Sequence, residues 1–261
     1  MTLRLGIVGG SGWLGQAIAR AVLAKGLFKP EDLAISYRSS PADLPASVFQ
    51  TRDNSALVDR SDVVVLSVRP EDWPGAAVPL AGKLVISVMA GVSLAALAQR
   101  HATARVIRAL PNAAAELGAS YTPLFAGDGA AAADLELARQ IFACCGTVDL
   151  VSSEAQLDYL SGLTGTGPAY PALFALAMEQ DAVQRGLDPA VARRAVRGLF
   201  IGAGRMLEAS AASNAEIVEQ FMAYRGVTAA GLQAMQAHGV EAAIRAGLAA
   251  ASARTATMGG E

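Results

Sequence analysis

Along the first half of the chain, short apolar runs alternate with segments of helical spacing. Leu3–Val8, Leu33–Ser36, Val63–Val68, Leu84–Val88 and Val106–Ala109 are each nearly continuous in aliphatic or β-branched residues, as strands buried on both faces should be. Helical spacing over Leu14–Lys25 separates the first two runs. Strands alternating with helices predict an α/β domain built on a doubly wound parallel sheet. Tyr121–Phe125 and Val148–Val151 read as further strands around an alanine-rich helix spanning Gly129–Ala143.

Past Ser152 the strand-like runs stop and capped helices take over. Ser153 with Gln156, and Ser213 with Glu216, have the spacing at which each side chain supplies an acceptor to the other residue's free amide. Asp188 followed by Pro189 reads as an N-cap with a first-turn proline, and Gly186 suits the left-handed close of the preceding helix. The expected organisation is therefore a sheet domain over 1–152 and an all-α domain over 153–261. The second half is rich in alanine, poor in charge and too short to bury every helix face alone, so a homodimer formed through its helices is expected.

Composition sharpens this picture. The chain has 261 residues, of which 53% are hydrophobic and 17% charged, and much of that apolarity is alanine, which favours close-packed helices. A membrane span needs about 18 consecutive apolar residues. The best stretch, Leu84–Ala98, is shorter and is interrupted by Ser87, Gly91 and Ser93. Met1–Gly10 has no secretory pattern, which predicts a cytoplasmic protein. The 21 basic and 23 acidic side chains are scattered, so no charge field draws the chain to nucleic acid or an anionic membrane, and small molecules are the expected partners. Cys144 and Cys145 are adjacent and match no metal spacing with His101 and His238. They read as reduced packing residues, with no metal site.

The candidate chemistry begins directly after the first strand, with Gly10-Ser11-Gly12-Trp13-Leu14-Gly15. The glycines of a GxGxxG between strand and helix allow a tight turn, the approach of a pyrophosphate and close helix–strand packing, the pattern of a Rossmann dinucleotide site. About twenty residues on, where an acid would hold the ribose hydroxyls of NAD, the chain reads Ser36-Tyr37-Arg38-Ser39-Ser40. A guanidinium among hydroxyls suits a 2′-phosphate and favours NADP, NADPH in the reduced form, over NAD. The competing reading is a plain polar turn ahead of Pro41. The only lysines are Lys25, Lys29 and Lys83, so the helical half lacks the lysine that carbonyl reduction commonly uses as, or beside, a proton donor. His101 and His238 read as structural residues at helix ends. A substrate that already carries its proton, such as an iminium, needs only hydride and orientation. Two helix starts offer that orientation, Thr164-Gly165-Thr166-Gly167-Pro168-Ala169-Tyr170 and Gly226-Val227-Thr228, where free amides stand beside a hydroxyl. The competing reading is simple capping by Thr166 and Thr228.

These residues are similar to those of the Δ1-pyrroline-5-carboxylate reductases, nearly end to end. Leu160–Tyr170 resembles the family's LSGSGPAY segment, with weaker likeness at Ser87–Val92, Val106–Asn112 and Gly186–Leu207. The resemblance implies a Rossmann domain followed by a helical dimerisation domain, often assembled into rings of dimers, and reduction of a cyclic imino acid to proline. It implies that NAD(P)H lies across Gly10–Gly15, with Arg69, Pro70, Ala90, Gly91 and Asn112 near its sugars and nicotinamide. It places Thr228 where family members hydrogen-bond the ring nitrogen and Gly226 where they offer backbone amides to the carboxylate, while Thr166 as a second orienting hydroxyl, and Thr164 and Val227 beside the substrate, follow from the two helix starts. The family's substrate loop, roughly SPGG-x-T, is altered here to Ala223-Tyr224-Arg225-Gly226-Val227-Thr228, and Ala113-Ala114 replaces Thr-Pro. The glycine loop is one residue longer. The alternatives are a reductase of another imine or keto acid, in which Arg225 binds an additional anionic group, or a dinucleotide-binding protein without catalysis.

Overall fold

The computed structural model describes residues 3–258. Its strands are β1 (Leu5–Val8), β2 (Leu33–Ser36), β3 (Phe49–Thr51), β4 (Val63–Leu66), β5 (Leu84–Ser87), β6 (Val106–Ala109), β7 (Ser120–Ala126) and β8 (Gly146–Leu150). Between them lie helices α1 (Trp13–Ala24), α2 (Asn54–Asp59), α3 (Trp73–Ala76), α4 (Leu94–His101) and α5 (Ala132–Ala143). After β8 come α6 (Glu154–Leu163), α7 (Ala169–Gln184), α8 (Pro189–Ala209), α9 (Asn214–Ala223), α10 (Val227–Ala237) and α11 (Val240–Met258).

The strands form one sheet in the order β3-β2-β1-β4-β5-β6-β7-β8. The chain winds outward from β1 in one direction and resumes from β4 in the other, which opens a crevice at the carboxyl ends of β1 and β4. The expected fold class is the one observed, with one antiparallel pair, β6 with β7. Ten residues containing only a 3-10 turn (Ala113–Leu117) join those strands, too few for the crossover that a parallel pair requires.

Strand alternation divides the core between the two faces. Leu5, Ile7, Val63, Val65, Leu84 and Ile86 pack with Ile18, Val22, Ile141 and Phe142 on one side. Val8, Val64, Leu66 and Val85 pack with Leu57 and Leu97 on the other. Both cysteines are buried and free, and burial pushes the Cys145 thiol up to about 12, which makes it inert packing.

Two compact units result. One runs to Gly167 and takes up the chain again from Ala250; the other is Pro168–Ala249. The division thus differs from the composition change at 152/153. Helix α6 belongs with the sheet because Leu157 is buried and because Arg108 of β6, 1% exposed, reaches Glu154 at 2.7 Å and Asp158 at 2.8 Å. The end of α11 returns to α6: a Cβ on Gly162 would stand 3.0 Å from that of Ala251. In Pro168–Ala249 only Ala192, Val196 and Ala229 are buried, while Leu199, Ile201, Met206 and Leu207 of α8 are exposed. Among the described residues no helix is long and apolar enough to cross a membrane.

Candidate functional site

A cleft of about 960 Å³ opens at the crevice between β1 and β4. Of the sequence-predicted cofactor residues, Ser11, Gly12, Trp13, Leu14, Ser36, Arg38, Ser39, Arg69, Pro70 and Ala90 line it. The remaining glycines of the motif lie behind the surface. A Cβ on Gly15 would stand 2.7 Å from the Gly10 Cα, and one on Gly10 would stand 2.6 Å from the Ile35 Cβ, so both serve the packing of α1 on the sheet. The left-handed turn falls one residue before the motif, at Gly9 with φ 75.

Gly12 is the N-cap of α1, and no side chain caps that end. The first-turn amides therefore face the cleft without a protein acceptor and favour an anion. At the far end of the cleft, Arg38, Arg52 and Arg69 stand with one carboxylate, Asp72. Arg52 donates to the Ser39 carbonyl at 2.9 Å, and its guanidinium lies 5.6 Å from the Tyr37 ring centre. Arg38 Nη1 meets Asp72 Oδ1 at 3.3 Å, while Arg69 donates from Nε to Asp72 Oδ2 at 2.9 Å, and its Nη2 lies 2.9 Å from the same oxygen. The hydrogen bond from Arg69 holds the Asp72 carboxyl below the usual carboxylate range. Free helix amides, a cationic end and an apolar wall at Val88, Met89 and Ala90 fit a nicotinamide dinucleotide. Among the described residues no cluster of metal-binding side chains occurs.

Gly91 and Asn112 do not line the cleft. Asn112 is committed to structure: its Oδ1 accepts from Ala114 N at 2.9 Å and its Nδ2 donates to the Thr164 carbonyl at 3.0 Å. It thereby fixes the Thr164–Gly167 loop after α6. Thr164 and Thr166 bond back to the carbonyls of Leu160 and Leu163, so Thr166 does not cap α7, whose N-cap is Pro168. Gly226, Val227, Thr228 and Arg225 lie together in the second unit. Gly226 is the N-cap of α10 with no side-chain cap, and Thr228 sits inside the first turn. The capping reading of both threonines is thereby replaced: their hydroxyls cap neither helix. Arg225 is exposed and left-handed, with φ 53.

Arg52, Asn54 and Asp72 were not among the sequence-predicted residues and all line the cleft. Arg52 follows β3, which pairs with β2, so the end of any third strand in this topology borders the same crevice; the strand itself gave too weak a signal. Asp72 ends a 3-10 turn, Pro70–Asp72, and only the fold brings it opposite Arg38.

Two family models match the chain. The one described as pyrroline-5-carboxylate reductase dimerisation covers residues 154–258, and the one described as NADP oxidoreductase, coenzyme F420-dependent, covers 4–91. The structure resembles that of a pyrroline-5-carboxylate reductase from Coxiella burnetii, with a TM-score of 0.90 at 26% identity over all of both chains. It shares its fold with a Plasmodium falciparum pyrroline carboxylate reductase solved with NADP bound, with a TM-score of 0.83 at 22% identity over 99% and 98% of the chains. The pyrroline-5-carboxylate reductase of Thermus thermophilus is 32% identical over 98% of this chain and 99% of its own. Likeness that runs through both units at once is more than a shared nucleotide-binding domain, and this chain belongs to the pyrroline-5-carboxylate reductase family.

Proposed function

We propose that this protein reduces Δ1-pyrroline-5-carboxylate to proline with NADPH preferred over NADH, in the cytoplasm, as a homodimer able to assemble further. The observation that carries the reading is family likeness across the nucleotide-binding and dimerisation regions together. NADPH supplies the hydride that adds to the C=N carbon. The first-turn amides of α1 hold the pyrophosphate, and Arg38 with Ser39 receives the 2′-phosphate, for which charge-assisted bonds are suited. Arg69, Pro70 and Ala90 flank the dinucleotide. In the helical half, the uncapped amides at Gly226 and Val227 receive the substrate carboxylate, and the Thr228 hydroxyl hydrogen-bonds the ring nitrogen. Because the iminium is already protonated, orientation replaces a strong acid. Support comes from the uncapped start of α10, with Thr228 in its first turn.

A second reading keeps the cofactor and exchanges the substrate for an imino acid with a further anionic group. Tyr224-Arg225 favours it, since these residues stand where the family pattern has proline and glycine. The deciding experiment is NADPH oxidation by wild type and Thr228→Val across pyrroline and piperideine carboxylates. The expected result is preference for pyrroline-5-carboxylate and a fall in kcat of about tenfold or more in the variant. Turnover of pyrroline-5-carboxylate unaffected by the substitution removes Thr228 from the mechanism, and no turnover of any imine removes the function.

A further inference from the structure

We propose that Asp72 is a specificity-determining residue, a carboxylate that opposes the 2′-phosphate of NADPH for Arg38 and so sets how far the protein favours NADPH over NADH. The inference rests on the reading that Arg38 receives this phosphate.

Asp72 is held rather than free. Two nitrogens of Arg69 converge on its Oδ2, and Arg69 is further tied to Glu71 at 3.2 Å. The carboxylate therefore stays in the cleft whichever dinucleotide arrives. Arg38, by contrast, touches Asp72 through one nitrogen at 3.3 Å and is 78% exposed. It retains donors for a second anion, since a guanidinium carries five. A phosphate drawn to those donors brings its charge to within a few ångströms of the Asp72 carboxylate, and like charges at that distance repel. A ribose hydroxyl does not meet this repulsion, because it is neutral. One side chain thus weakens NADPH and leaves NADH untouched, within a cleft end whose three arginines would otherwise favour the phosphate strongly.

The test is calorimetric titration of the full chain with NADPH and with NADH, for wild type, Asp72→Asn, Asp72→Ser, Arg38→Ala and the Arg38→Ala/Asp72→Asn double variant. Asp72→Asn is expected to tighten NADPH by about threefold or more with NADH within about twofold of wild type, and the tightening is expected to vanish when Arg38 is absent. Asp72→Ser guards against an effect peculiar to the asparagine amide and is expected to move the same ratio in the same direction. Equal weakening of both cofactors in the Asp72 variants means that Asp72 only positions Arg69 and the wall of the cleft, and overturns the proposal. An unchanged ratio in those variants, with Arg38→Ala selectively weakening NADPH, overturns it while sparing the reading of Arg38. If Arg38→Ala leaves NADPH binding unchanged, that reading falls and the proposal with it.

Discussion

Two non-glycine residues among those described hold a left-handed backbone, Ala102 at φ 52 and Arg225 at φ 53. That conformation costs an L-residue roughly 1–2 kcal/mol, and at Arg225 it falls in the altered loop where the family pattern has glycine. Arg225→Gly is expected to relieve the strain, offset in part by the greater freedom of glycine when unfolded. Urea denaturation should therefore find the variant level with wild type or more stable by up to about 1 kcal/mol. With folding intact, its kinetics become interpretable. If Arg225 binds a further anion, KM rises for a doubly anionic imino acid while turnover of pyrroline-5-carboxylate stays level or improves. At this scale the sequence marks Arg38 as a cofactor contact through its residue type and its place after the second strand, and the cleft includes it. Asp72 carries no such mark, since its neighbours in sequence do not reveal what lies across a crevice. Asn112 donates to the Thr164 carbonyl just past α6, a contact that only the tertiary structure creates.

Among the elements, the long apolar strands and capped helices were the most legible. Ser213 and Glu216 form the reciprocal cap that their spacing predicts. Ser153 accepts from Gln156 N as predicted, yet the Gln156 side chain bonds Ser152 instead of closing the box. The segment β3 gave no strand signal because it is three residues, half-buried and interrupted by Gln50, and the six-residue α2 is shorter than a helical period can reveal. His101 ends α4 as expected, but with a tertiary role. Trp73 donates its indole N–H to His101 Nε2 at 2.9 Å, and His101 Nδ1 lies 2.7 Å from the Val78 carbonyl. Because an indole nitrogen only donates, Nε2 must accept and Nδ1 must carry the proton. Protonation of the imidazole sets two donors against each other. Burial lowers the His101 pKa, the bond to Val78 opposes this, and the Arg100 cation adds to the lowering. The unfolded chain thus binds the proton more readily, so stability falls as pH drops below about 6.5, the ordinary histidine value. Urea midpoints of wild type between pH 7 and 5 should decline more steeply than those of His101→Gln.

For the whole molecule, composition changes after Ser152 and the dimerisation model matches 154–258, while the compact division lies at Gly167. Composition records where strands end; compactness records which helix the sheet retains, and α6 is retained by Arg108. The sparse burial within Pro168–Ala249 is what a dimerisation domain looks like without its partner, since apolar faces of this extent mark association sites. Placing a charge on such a face should oppose assembly. Ile201→Asp is expected to shift the protein from dimer toward monomer in sedimentation equilibrium at micromolar concentration, whereas wild type remains dimeric. Retention of the dimer by the variant would locate the interface away from that face of α8.

Trp13 is half exposed on the wall of the dinucleotide cleft, and the chain has only one other tryptophan, Trp73. Indole fluorescence overlaps the absorption band of a reduced nicotinamide, so excitation of Trp13 transfers to a bound dihydronicotinamide and dims in proportion to occupancy. The protein carries a built-in optical reporter at its glycine loop, one that registers the arrival of reduced cofactor before any substrate is added.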